Sequence, residues 1–79
     1  MINSAPQRLV EVVEVPGCPQ GSLVVVSYLM ERRPKAAKFL VPDSECVAVL
    51  RFILPHVGYA HRVTRRDNLW LVEVERSQP

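Results

Sequence analysis

The residue in this sequence whose type and setting most suggest chemistry is Cys18, in the segment Val15-Pro16-Gly17-Cys18-Pro19-Gln20. A valine-rich stretch precedes it and a predicted helix follows. A sulfur at a helix N-terminus lies beside unpaired backbone N–H groups and the positive end of the helix dipole. Both favour the thiolate, which is the nucleophile, over the thiol. Pro19 has a fixed φ and no N–H, so it suits the first helical position. Gly17 and Pro19 together shape the turn. The plainer reading of the same residues is a cysteine that fills a bend.

Other candidates are weaker. Cys46 falls in the first turn of a second predicted helix, beside Val47 and Val49. It reads as a buried structural thiol, because free cysteine is among the most buried residue types. The alternative is a resolving partner for Cys18. His61 falls on the inward face of a predicted strand and reads as a packed histidine rather than a general base, and His56 reads as surface. Cys18, Cys46, His56 and His61 lack paired ligand spacing, so no zinc site is expected. Basic residues form two stretches, Arg32, Arg33, Lys35 and Lys38 in one and Arg62, Arg65 and Arg66 in the other. These are either a solvated surface or a docking surface for an acidic protein or RNA.

The elements that must position Cys18 follow from the patterning. Leu9 to Val15 reads as a strand, ended by Pro16, Gly17 and Pro19. Leu23 to Arg33 has enough valine for a strand. However, Leu23, Val26, Leu29 and Met30 share one helical face, and the terminal arginines suit the negative end of a helix dipole, so a helix with that face inward is predicted. Ala36 to Val41 is a short apolar strand. Asp43 or Ser44 then offers an N-cap. The helix that follows should turn Val47, Leu50, Ile53 and Leu54 inward and Arg51 outward, with Pro55 ending it and Gly58 beyond its end. Tyr59 to Arg66 and Leu69 to Arg76 form a hairpin about Asp67-Asn68, residues that tolerate positive φ. That turn places Val63 opposite Val72, His61 opposite Val74 and Arg62 opposite Glu73. Tyr59, Trp70 and Phe52 are assigned to the core.

The expected fold is therefore a two-layer α/β (α+β) β-α-β-α-β-β sandwich. Its four-stranded mixed sheet pairs the first two strands in parallel and carries two helices on one face. Residues 1–8 are expected to be a loose lead-in, 9–76 a single domain and 77–79 a tail. With 79 residues the chain can bury one modest core but cannot enclose a large pocket alone. A formal net charge of +2 is weak evidence for any partner. No apolar run reaches the roughly 18 residues that span a bilayer, and MINSAPQR does not read as a signal peptide. A cytoplasmic protein without membrane insertion is expected, and with it free thiols at both cysteines.

Taken in order, these features resemble the TusA/SirA-like sulfur-carrier family. That family carries G-x-x-C-P-x-P between its first strand and first helix. Cys18 and Pro19 match, and Gly17 lies immediately before the cysteine. Gly21 stands at the second proline and is expected to loosen the turn. The acidic turn at Asp43, Gly58 before the third strand and the basic Arg76 also fit. The resemblance implies a sulfurtransferase-like carrier rather than a turnover enzyme, holding sulfane sulfur as a persulfide on Cys18. Its partners would be sulfur-donor and sulfur-acceptor proteins, docked by Arg32, Arg33, Lys35, Arg62, Arg65 and Arg66, with no metal or cofactor. The strand–helix order also resembles the C-terminal domain of bacterial translation initiation factor three, which keeps RNA binding as an alternative. A degenerate protein-interaction domain with an inert Cys18 is a third.

Overall fold

The computed structural model describes residues 12–77. The strands and helices run β1 (Val12–Glu14), α1 (Gln20–Arg32), β2 (Ala36–Val41), α2 (Ser44–Ile53), a 3-10 turn (Leu54–Val57), β3 (Tyr59–Arg66) and β4 (Leu69–Arg76). Residues 9–11 of the expected first strand lie outside the described residues. The four strands form one sheet in the order β1-β2-β4-β3. β1 pairs with β2 in parallel, while β4 runs antiparallel to both β2 and β3. This is the expected mixed-sheet, two-helix α+β architecture.

The hairpin adopts the expected register, with Val63 opposite Val72, His61 opposite Val74 and Arg62 opposite Glu73. Of the two loop residues, Asp67 takes the positive φ, 54°. Period-two alternation then sorts the sheet into faces. Ala37, Phe39 and Val41 of β2, Tyr59 of β3 and Val72 and Val74 of β4 are buried against Val25 and Leu29 of α1 and Val47 and Leu50 of α2. Each large apolar side chain among them contributes roughly 1.5–3 kcal/mol by leaving water. Arg62 and Glu75 stand exposed on the opposite face, where Lys38 and Glu73 make an ion pair of 3.6 Å.

Two core assignments are corrected. α1 buries Gly21, Val25 and Leu29, whereas Leu23 and Met30, expected inward, are 66% and 54% exposed. The helix begins at Gln20, and close packing at Gly21 selects the i, i+4 row through 21, 25 and 29. Because Leu23 to Val26 are all apolar, the sequence offers no unique stripe. Phe52, assigned to the core, is 73% exposed. α2 turns Cys46, Val47 and Leu50 inward and leaves position 52 outside; there the Phe52 ring lies 5.3 Å from that of His56.

One end of the domain is closed by polar contacts around the C-terminus of α1. Arg33 caps the helix at φ 45°, with its N–H bonded to the Leu29 carbonyl. The Arg33 side chain donates to the Val57 carbonyl and lies over the Tyr59 ring. Arg76 donates to the Arg33 carbonyl at 2.6 Å, and the Tyr59 hydroxyl donates to the Pro34 carbonyl at 2.7 Å. Ser77, the first residue of the expected tail, is held by two hydrogen bonds to the Gly58 carbonyl.

Candidate functional site

The site is built at the carboxyl ends of the parallel pair β1 and β2. The ladder continues past β1, with Val15 N–H donating to the Leu40 carbonyl at 3.0 Å. The chain then turns through Pro16 and Gly17, whose carbonyl accepts from Gly21 N–H at 3.0 Å. Cys18 sits in this turn, half-buried, and its peptide bond to Pro19 is cis. Pro19 occupies the cap position of α1 rather than its first helical residue, and its carbonyl accepts from Ser22 Oγ.

One strand over, β2 ends at Val41 and Asp43 caps α2. Its Oδ1 accepts from Cys46 N–H at 2.8 Å, an arrangement that contributes about 1 kcal/mol. The cap positions Cys46 on the inner side of the first turn, where it is fully buried.

The structure joins Cys18 and Cys46 in a disulfide, with their Cα atoms 5.1 Å apart. This corrects the expectation of free thiols, and in this state neither sulfur titrates. The reason is topological. Each cysteine stands at the start of the helix that follows one of two adjacent parallel strands, and adjacent strands lie only about 4.8 Å apart. Two helix N-termini therefore meet although the cysteines are 28 residues apart in sequence. The signal was present in the sequence as two cysteines in equivalent strand-to-helix positions.

Both glycines of the turn have steric reasons. A Cβ on Gly17 would stand 2.9 Å from Asp43 Oδ2. A Cβ on Gly21 would overlap the Pro16 carbonyl oxygen and stand 2.9 Å from Cys46 Sγ. Gly21 therefore does not loosen the turn, contrary to the expectation from its place at a family proline. It lets α1 close over the β1 end and over the buried sulfur.

The basic residues fall into separate places. Val41 pairs with Trp70 and Arg65 with Trp70, so Arg65 and Arg66 share the end of the sheet where both helices begin. The Arg65 guanidinium lies 4.5 Å over the Trp70 ring. Arg62 lies within β3, opposite Glu73 on the outer face. Arg32, Arg33 and Lys35 lie at the Tyr59 end of β3, roughly 23 Å away by the rise of an extended strand. There Arg32 lies over Tyr28, and the Lys35 carbonyl accepts from Arg76 N–H. His61 is half-buried on the helix face, and His56 Nδ1 donates to the Phe52 carbonyl. Among the described residues no group of His, Cys, Asp and Glu side chains could hold a metal ion, and no helix is long and apolar enough to cross a membrane.

No family model matches the sequence, and no curated protein matches it significantly. Among solved structures, a SirA-like protein from Desulfitobacterium hafniense superposes with a TM-score of 0.74 at 16% identity, covering 87% of this chain and 100% of that one. At that identity the likeness is one of architecture: this chain has a SirA-like α+β fold.

Proposed function

We propose that the protein is a sulfur carrier whose reduced form holds sulfane sulfur as a persulfide on Cys18 and passes it to a partner protein. The observation that carries this reading is the place of Cys18: a half-buried cysteine in the turn between β1 and the N-terminus of α1, in a SirA-like fold. Such chemistry needs one accessible sulfur and a surface on which a partner can bring its own. Neither an enclosed pocket nor a metal is required.

Docking is assigned to the end of the molecule that bears the sulfur. Arg65 and Arg66 lie there, and Leu23, exposed near the start of α1, adds apolar surface. Arg32, Arg33 and Lys35, at the far end of β3, are left out of this surface. RNA binding is less favoured, because the basic stretches do not form one surface and Arg32, Arg33 and Arg65 lie over aromatic rings of their own chain. The outer sheet face also alternates in sign, with Lys38, Glu73 and Arg62 in one row. The Gly21 departure, which kept the inert-domain reading open, has a steric reason instead, since a Cβ there would overlap the Pro16 carbonyl oxygen and crowd Cys46 Sγ.

Transfer from polysulfide-loaded, reduced protein to an acceptor protein thiol tests this assignment. Cys18→Ser should abolish transfer, since serine cannot hold a persulfide. Arg65→Ala with Arg66→Ala should slow delivery to a protein acceptor but leave loading by polysulfide intact. RNA affinity measured at two salt concentrations provides the opposing outcome. Salt-sensitive RNA binding lost only in the arginine variant, together with no transfer by the wild type, would replace the carrier reading with the RNA one.

A further inference from the structure

We propose that the Cys18–Cys46 disulfide is itself a sulfur-loading form, which takes up hydrosulfide and converts it into sulfane sulfur on Cys18. This rests on the carrier reading and extends it to an inorganic sulfur source and to the oxidant that the conversion needs. The two cysteines are unequally exposed. Cys18 is half-buried whereas Cys46 is fully buried. Exchange requires the nucleophile to reach the sulfur it attacks. Hydrosulfide from solution can therefore attack Cys18 Sγ and not Cys46 Sγ.

The site of attack sets the products. A new S–S bond forms between hydrosulfide and Cys18 Sγ, and the Cys18–Cys46 bond breaks. Its electron pair goes to Cys46 Sγ, which accepts the proton released by the incoming sulfur. The products are a Cys18 persulfide and a Cys46 thiol. The incoming sulfur is oxidised from sulfide to sulfane level, and the disulfide is the two-electron oxidant, so one loading needs no other redox partner.

The surroundings of Cys46 suit a leaving sulfur that must stay in place. Asp43 Oδ1 holds the Cys46 N–H, and hydrogen at Gly21 leaves room for Cys46 Sγ against α1. The buried Cys46 thiol is thereby shielded from polysulfides and alkylating agents while Cys18 carries the cargo.

The test uses the full chain under anaerobic conditions, so that oxygen cannot act as an oxidant. Oxidised protein receives one equivalent of sodium hydrosulfide, is quenched by alkylation and is mapped by mass spectrometry. The expected result is a mass gain equal to one molecule of hydrogen sulfide before alkylation, with the added sulfur on Cys18 and a plain thiol at Cys46. Pre-reduced protein given the same hydrosulfide should gain nothing, because it lacks the oxidant. Pre-reduced protein given polysulfide should gain sulfur on Cys18, which tests the carrier reading separately. If polysulfide loads Cys18 but hydrosulfide leaves the oxidised protein unchanged or modifies Cys46, the loading proposal is overturned and the carrier reading stands. If neither reagent loads Cys18, both are overturned.

Discussion

Reduction of the disulfide is expected to lower the thermal unfolding midpoint by on the order of 15–25 °C. The Cys18–Cys46 bond closes a loop across 28 positions. In the chain-entropy account, a loop of this length contributes roughly 3–4 kcal/mol by restricting the unfolded chain. A domain of this size is stable overall by only about 4–12 kcal/mol, so the loss is a large share. Thermal unfolding followed by circular dichroism with and without a phosphine reductant measures it. Cys46→Ala should fall at or below the reduced wild type, since it also leaves a small void in the core. Equal midpoints for oxidised and reduced protein would show that the two sulfurs are not bonded in solution.

Substitution of Gly21 should have the second-largest effect. Gly21→Ala drives a methyl group into the Pro16 carbonyl and against Cys46 Sγ, neither of which is the free end of a flexible side chain. Forcing atoms into a packed site costs about 1–3 kcal/mol. Gly21→Pro adds the loss of the Gly21 N–H bond to the Gly17 carbonyl, worth about 1 kcal/mol. The proline variant should therefore be the less stable, by roughly 3 kcal/mol or more below wild type. From the sequence alone the opposite is expected, since proline in place of glycine normally stabilises by restricting the unfolded chain. Urea unfolding of both variants decides between them; a proline variant as stable as wild type would mean that the turn differs from the one described.

Much of the architecture was legible because local signals agreed with tertiary placement. Pro34 and Pro42 bracket β2, and Asp43 is a strong N-cap. The two-residue loop at Asp67 fixes the register of β3 against β4. The sequence was ambiguous where local chemistry left several solutions. Leu23, Val24, Val25 and Val26 form an apolar band around α1, and only the contact beneath Gly21 selects Val25. Phe52 was assigned inward as a large aromatic, although the Cys46-Val47-Leu50 row faces it away from the core.

At the site, the position of Cys18 between a strand and a helix was legible because Pro16, Gly17 and Pro19 punctuate the chain there. The disulfide was legible only as the alternative reading of Cys46, a resolving partner for Cys18. It depends on β1 and β2 being adjacent and parallel, which brings two distant helix starts together. The expected compartment argued against it, and the sequence carries no measure of the distance between the two cysteines. The buried contact of Gly21 with Cys46 belongs to the same class, because a glycine required by a neighbouring sulfur looks in sequence like a glycine in any turn.

The most direct test of the proposed function is site-resolved mass spectrometry of reduced protein exposed to polysulfide without oxygen and then alkylated. The account predicts an added sulfur on the peptide containing Cys18, none on the peptide containing Cys46, and no addition at all in Cys18→Ser. Sulfur found on Cys46 alone, or on neither cysteine while the reduced protein remains folded, would contradict it.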